Sequence, residues 1–177
     1  MNIPVILGTA RAGRQSEKVA HWMVGQVEAT GAETELIDVR DYPLTATDAS
    51  EESEQAKKYI GKISAADAYV FVVPEYNHGY PGELKMMLDL GYKQYGGKPA
   101  LICGVSNGNF GGARMIEQLE PVLVALGVYP IQWPLLISRV EEKFITSDEL
   151  GDEALPDRAQ KSLAALLKFA TALKSAR

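Results

Sequence analysis

Cysteine is nearly missing from this chain: Cys103 stands alone among 177 residues. A lone cysteine forms no internal disulfide and builds no thiolate metal site. It points to a reducing compartment, read here as the cytoplasm. Basic excess is missing too. Eighteen Lys and Arg face 23 Asp and Glu, for a net charge of −5, so the footprint that nucleic-acid binding requires is not there. No apolar run approaches the roughly 20 residues of a membrane span. The start, Met-Asn-Ile-Pro, has neither a basic segment nor a long apolar one, so no signal peptide is expected. Histidine is scarce, at two residues. His78 has no second histidine or carboxylate at ligand spacing, which argues against a metal site. What remains is ordinary globular composition, 46% hydrophobic and 23% charged, long enough for one compact unit over 1–177 with a sizeable core.

Five β-α alternations follow one another. Ile3–Leu7 is a short apolar strand ended by Gly8. Ser16 is placed to cap a helix running to about Thr30, with Val19, Met23 and Val27 on one stripe and Gly31 as its stop. Thr34–Val39 is the second strand, and the acidic stretch from Asp48 to Glu54 leads into a helix ending near Ala66. Ala68–Val73 is a third strand, followed by a helix from Pro81 or Gly82 to Leu90. Pro99–Val105 is a fourth strand, and Gly111-Gly112 opens a helix to about Leu126. Val128–Ile137 holds a fifth strand, which Pro130 and Pro134 assign to an edge. Val140–Leu155 reads as a loop and Pro156–Lys174 as a closing helix. Continuously apolar strands mean burial on both faces, hence a parallel sheet between helix layers. The expected strand order is 2-1-3-4-5, which brings the loops after strands one, three and four to one edge.

Those three loops hold the chemistry. Gly8-Thr9-Ala10-Arg11-Ala12-Gly13-Arg14-Gln15-Ser16 offers hydroxyls, arginines and a helix N-terminus, a combination that suits phosphate. It fits neither the G-x-x-x-x-G-K-[ST] nor the G-x-G-x-x-G pattern; the plainer reading is a capped turn with its arginines in solvent. Pro74-Glu75-Tyr76-Asn77-His78-Gly79-Tyr80-Pro81 brings backbone groups and flat aromatic surface but no nucleophile paired with a base. Glu75 and His78 are open as acid and base, though a lone loop histidine is more often a contact or lid residue. Ser106-Asn107-Gly108-Asn109-Phe110-Gly111-Gly112 has three glycines that let backbone approach a ligand closely. One loop fits a phosphate and two fit a flat heterocycle with polar edges; a mononucleotide such as FMN satisfies all three.

Gly8-Thr9-Ala10-Arg11 leading to Ser16, then Pro74-Glu75-Tyr76-Asn77 with Pro81-Gly82 and Leu84-Lys85, then Gly111-Gly112-Ala113-Arg114, together resemble the NADPH-dependent FMN reductase family. The resemblance runs from the first strand to about Ile137. Thr9 stands where that family often has Ser, and Met86-Met87 where Asn-Ala is common. It implies a flavodoxin-like three-layer α/β sandwich and an enzyme related to quinone, azo-dye and chromate reductases. By resemblance, Thr9, Arg11, Gln15 and Ser16 would hold the FMN phosphate. Pro74, Glu75, Tyr76 and Asn77 would hold the isoalloxazine edge with His78 nearby, and Ser106 and Gly108 would line the other side of the ring. NADPH or NADH would reduce the flavin, which then passes electrons in a ping-pong cycle to a small acceptor: a quinone, free flavin, azo compound or metal oxyanion. Arg14 is offered to a 2′-phosphate by its charge alone. A homodimer or homotetramer is implied, with Leu84, Met87 and Leu88 at its interface. A flavodoxin-type electron carrier and a non-catalytic FMN-binding protein remain open beside the enzyme.

Overall fold

The third and fourth strands carry the molecule, because every residue in them is buried. In a computed structural model describing residues 1–47, 51–145 and 150–176, β3 (Tyr69–Pro74) and β4 (Lys98–Val105) pair in parallel over six positions, Tyr69 opposite Ala100 through Pro74 opposite Val105. β1 (Val5–Leu7) lies on the other side of β3, and β2 (Leu36–Asp38) beyond β1. The order is β2-β1-β3-β4-β5, every pairing parallel, so the crossing point of the chain lies between β1 and β3. The fifth position is shared. β5 (Val128–Pro130) pairs with Lys98–Ala100 and β6 (Leu135–Ile137) with Cys103–Val105, both along the same edge of β4. Pro130 and Pro134 have no N–H to give a ladder, and the strand breaks between them.

Alternation along β3 sorts the core into two. Val70 and Val72 face α1 (Ser16–Glu28) and α6 (Leu155–Lys174). Tyr69, Phe71 and Val73 face α2 (Glu54–Ala65), α3 (Gly82–Leu88) and α4 (Ala113–Ala125). Both faces of the sheet are therefore covered, as its unbroken apolar strands require. Buried Lys98 completes the second layer: its Nζ donates to Ile63 O at 2.6 Å and Ser64 O at 3.2 Å, closing the carbonyl end of α2.

Several expectations change. Ser16 is the first helical residue of α1, not its cap. Gln15 occupies the cap in a helical conformation with no side-chain bond, because the turn at Gly13, φ +69°, brings the chain into the helix one residue early. Leu84, Met87 and Leu88 are buried in the chain's own core and cannot be the surface that meets another copy. The segment after Ile137 is not all loop: α5 (Val140–Lys143) forms there, with Val140 and Phe144 buried against α1 and α6. Residues 48–50 of the acidic stretch and 146–149 of the expected loop lie outside the described residues.

Candidate active-site cleft

The loops leaving β1, β3 and β4 meet at the carboxyl edge of the sheet, where ligands bind in open α/β folds. They enclose a cleft of about 300 Å³ whose lining includes Arg11, Gln15, Ser16, Glu75, Tyr76 and Ser106. Gly13, Arg14, Pro74, Val105, Asn107, Val140 and Glu141 complete the lining.

The first loop is held by Arg14, which also lines the cleft, and by Arg40. Arg14 is not a solvent arginine. Its side chain is 1% exposed; it pairs with Asp38 through both guanidinium ends and donates to Thr9 O. The chain gives it this partner by laying the end of β2 beside the start of α1. Burial by itself would raise the Asp38 carboxyl; the Arg14 bonds and the Arg40 N–H outweigh it and hold the group below the usual carboxylate range. Arg40 adds bonds from Nε to Ala10 O and from Nη2 to Arg11 O. The loop is thus preformed, and Arg14 is committed within the fold rather than available to a 2′-phosphate. Thr9 is fully buried beneath the loop, where its Oγ1 accepts from Arg11 N at 3.3 Å and lies 3.3 Å from the Tyr76 hydroxyl. It shapes the site and does not line it.

The second loop turns tightly. Tyr76 and Gly79 exchange backbone hydrogen bonds at 3.0 Å. Asn77 and His78 sit at the turn's two centres with φ of +50° and +67°, the left-handed pair that a two-residue hairpin turn requires. Asn77 and His78 are exposed at the tip and lie outside the cleft lining. The Arg11 guanidinium lies 4.1 Å over the Tyr76 ring, joining the first two loops. Glu75 is fastened from α4: Arg114 Nε and Nη2 both reach its Oε1, at 2.9 and 2.7 Å.

The third loop behaves differently from its composition. Gly111 and Gly112 carry φ of +61° and +84°, and a Cβ on either would lie within 3.0 Å of backbone in β4 or β6. These glycines let α4 approach the protein's own strands rather than a ligand. Gly108 lies outside the lining as well; its carbonyl accepts from Arg139 N at 3.1 Å and Ser106 Oγ at 3.2 Å. Asn107 Nδ2 reaches Glu141 at 3.0 Å. Val140 and Glu141 therefore form a wall that the loop reading of this segment hid; the i, i+4 pair Val140 and Phe144 was the available signal.

Three buried side-chain atoms have no hydrogen-bond partner among the described residues: Gln15 Oε1, Ser16 Oγ and Glu75 Oε2. All three belong to residues lining this one cleft. Native proteins rarely leave buried polar atoms unpaired, so these three atoms mark the cleft as the candidate site for a polar ligand. Ser16 Oγ can donate to an anion at the α1 N-terminus, and the Gln15 amide can turn its NH2 there. Glu75 lies after β3. Cys103 is no rival nucleophile: burial pushes its thiol far up. A second cleft of about 320 Å³, between Val39, Tyr42, Leu44 and Met86, is mainly apolar and holds none of the three unpaired atoms.

Strand order and cleft position define an α/β protein of the flavodoxin-like class. A solved structure with this arrangement is the flavoenzyme FerB, an NAD(P)H:(acceptor) oxidoreductase from Paracoccus denitrificans. The two superpose with a TM-score of 0.83 at 24% identity, over 96% of this chain and 97% of that one. Residues 1–141 match the family model for NADPH-dependent FMN reductases, and the chain belongs to that family. It is 33% identical to an NAD(P)H-dependent FMN reductase of Pseudomonas aeruginosa over 168 residues, 91% of this chain and 90% of that protein. It is 38% identical to another from Schizosaccharomyces pombe over 131 residues, 68% of this chain and 64% of that one.

Proposed function

We propose that this chain is an FMN-dependent NAD(P)H oxidoreductase. The observation that carries the reading is the set of three unpaired buried atoms on residues that line one cleft, Ser16 and Gln15 at a helix N-terminus and Glu75 after β3. An FMN offers a phosphate to the first pair and a polar ring edge to the third. Arg11, Gln15 and Ser16 hold the phosphate, with Thr9 supporting the turn from below. Pro74, Glu75 and Tyr76 hold the ring edge, and Ser106 lines the opposite wall. Asn77 and His78 border the mouth and shape access. Bound FMN supplies the hydride acceptor and the electron store; the protein contributes position and electrostatics. Among the described residues lining the cleft there is no nucleophile–base pair, and none is needed for that chemistry.

NADPH or NADH gives a hydride, leaves, and is replaced by a small oxidised acceptor such as a quinone, azo compound, free flavin or metal oxyanion. Initial rates test the reading: varying NADPH at several fixed quinone concentrations gives parallel double-reciprocal lines. Converging lines contradict the exchange of the two substrates at one site.

A further inference from the structure

A third concave region lies between the start of β6 and the N-terminal half of α6. It encloses about 390 Å³, within the range of small-molecule sites, and is lined by Trp133, Pro134, Leu135, Arg158, Lys161 and Ser162. It shares no lining residue with the cleft at the carboxyl edge of the sheet. The break between β5 and β6 leaves Trp133 57% exposed. Arg158, Lys161 and Ser162 stand at i, i+3 and i+4 on α6 and so share one face. A single exposed indole needs no explanation, and exposed cations on a helix usually belong to a solvated face. Three features set this place apart. The lining holds no carboxylate, in a chain whose 23 Asp and Glu outnumber 18 Lys and Arg. Neither cation is paired: among the described residues Lys161 forms no ion pair, and the Arg158 side chain makes one long bond, Nη2 to Leu136 O at 3.4 Å. Asp152, which feels the Arg158 charge, is already bonded to Lys143 at 2.9 Å. Ser162 is 6% exposed, and its hydroxyl has no hydrogen-bond partner among the described residues.

We propose that this cavity is a second ligand site, one that takes a planar aromatic anion such as an aromatic carboxylate. The Trp133 indole offers flat apolar surface to a ring. Arg158 presents a fork of N–H donors that matches a carboxylate, Lys161 adds a compact charge, and the Ser162 hydroxyl adds a further donor. A cationic ligand would meet two positive groups with no carboxylate among the lining residues. A neutral one would leave both charges without a partner. The site stands apart from the FMN reading, because none of its residues belongs to the other cleft.

The chain carries its own reporter, since Trp22 and Trp133 are its two tryptophans. Their indole N–H signals are followed by proton–nitrogen NMR while 2-naphthoate, or its neutral amide, is titrated into the full chain with and without FMN. Trp133→Phe assigns the two signals. Naphthoate moves the Trp133 signal and leaves that of Trp22, packed edge-on against Phe144 at 5.5 Å, in place. It binds about tenfold more tightly than the amide, because only the carboxylate makes charge-assisted bonds, and it does so whether or not FMN is present. The double variant Arg158→Gln with Lys161→Gln keeps the bulk of both exposed side chains and melts close to wild type. Its preference for naphthoate falls to about twofold or less. Naphthoate that leaves the Trp133 signal unmoved at millimolar concentration overturns the proposal. So do equal affinities for the two probes in wild type, and so does a double variant that keeps the full preference.

Discussion

Replacing Arg14 with Ala tests the idea that the first loop is built before any ligand arrives. The guanidinium is 1% exposed and bonds both oxygens of Asp38, Oδ1 at 2.7 Å, while also holding Thr9 O. Removing one partner of a buried pair costs about 3–5 kcal/mol, because the other charge is left uncompensated. Asp38 keeps the Arg40 N–H at 3.0 Å and is 17% exposed, so the low end applies, about 3 kcal/mol. Urea unfolding at pH 7 reads this as a midpoint lowered by about 1–2 M, a large share of a typical stability of about 5–15 kcal/mol. The double variant Arg14→Ala with Asp38→Ala recovers part of the loss.

The pH dependence has a definite sign. Asp38 is held below its usual range in the fold, so its contribution is complete above the unfolded carboxylate value of about 3.9 and disappears as pH falls through the folded value. The gap between wild type and Arg14→Ala is widest near neutrality and narrows below about pH 4. A loss under about 1 kcal/mol at pH 7, or a gap that widens on acidification, refutes the buried-pair account.

Ser16→Ala removes an unpaired hydroxyl, so it leaves the urea midpoint nearly unchanged while FMN affinity, measured by fluorescence titration, falls about tenfold. Arg11→Ala behaves similarly, since Arg11 is exposed and stacked on Tyr76 rather than buried; its thermal melt stays close to wild type while FMN binding weakens. Lys98→Met strips the donor from Ile63 O and Ser64 O and lowers stability by about 1–3 kcal/mol in urea. Gly112→Ala forces a Cβ to 2.8 Å from Val105 N at φ +84° and destabilises by more than about 1 kcal/mol on the same assay.

The sheet was legible because burial writes itself into sequence. Tyr69–Pro74 and Lys98–Val105 are buried without interruption, so their apolar runs announced central strands, and the two prolines announced a broken edge. The cleft was legible as loops and not as contacts. Arg14 reads as a phosphate ligand until Asp38, 24 residues away, is seen to take it. Glu75 reads as an acid until Arg114, 39 residues away, is seen to hold one of its oxygens. Composition has no term for such pairings. Gly111 and Gly112 show the same limit: a glycine signals close approach, and only the fold says whether a ligand or a strand is what approaches. The interface expected at Leu84, Met87 and Leu88 failed for a related reason, since apolar residues on a short helix serve the chain's own core first.

The most direct measurement is whether this cleft carries a flavin that a nicotinamide can reduce. Protein loaded with FMN, mixed with NADPH in the absence of oxygen and followed by flavin absorbance, is expected to bleach within seconds and to regain its colour when a quinone is added. A protein that takes up no FMN, or whose bound FMN stays oxidised under both NADPH and NADH, contradicts it.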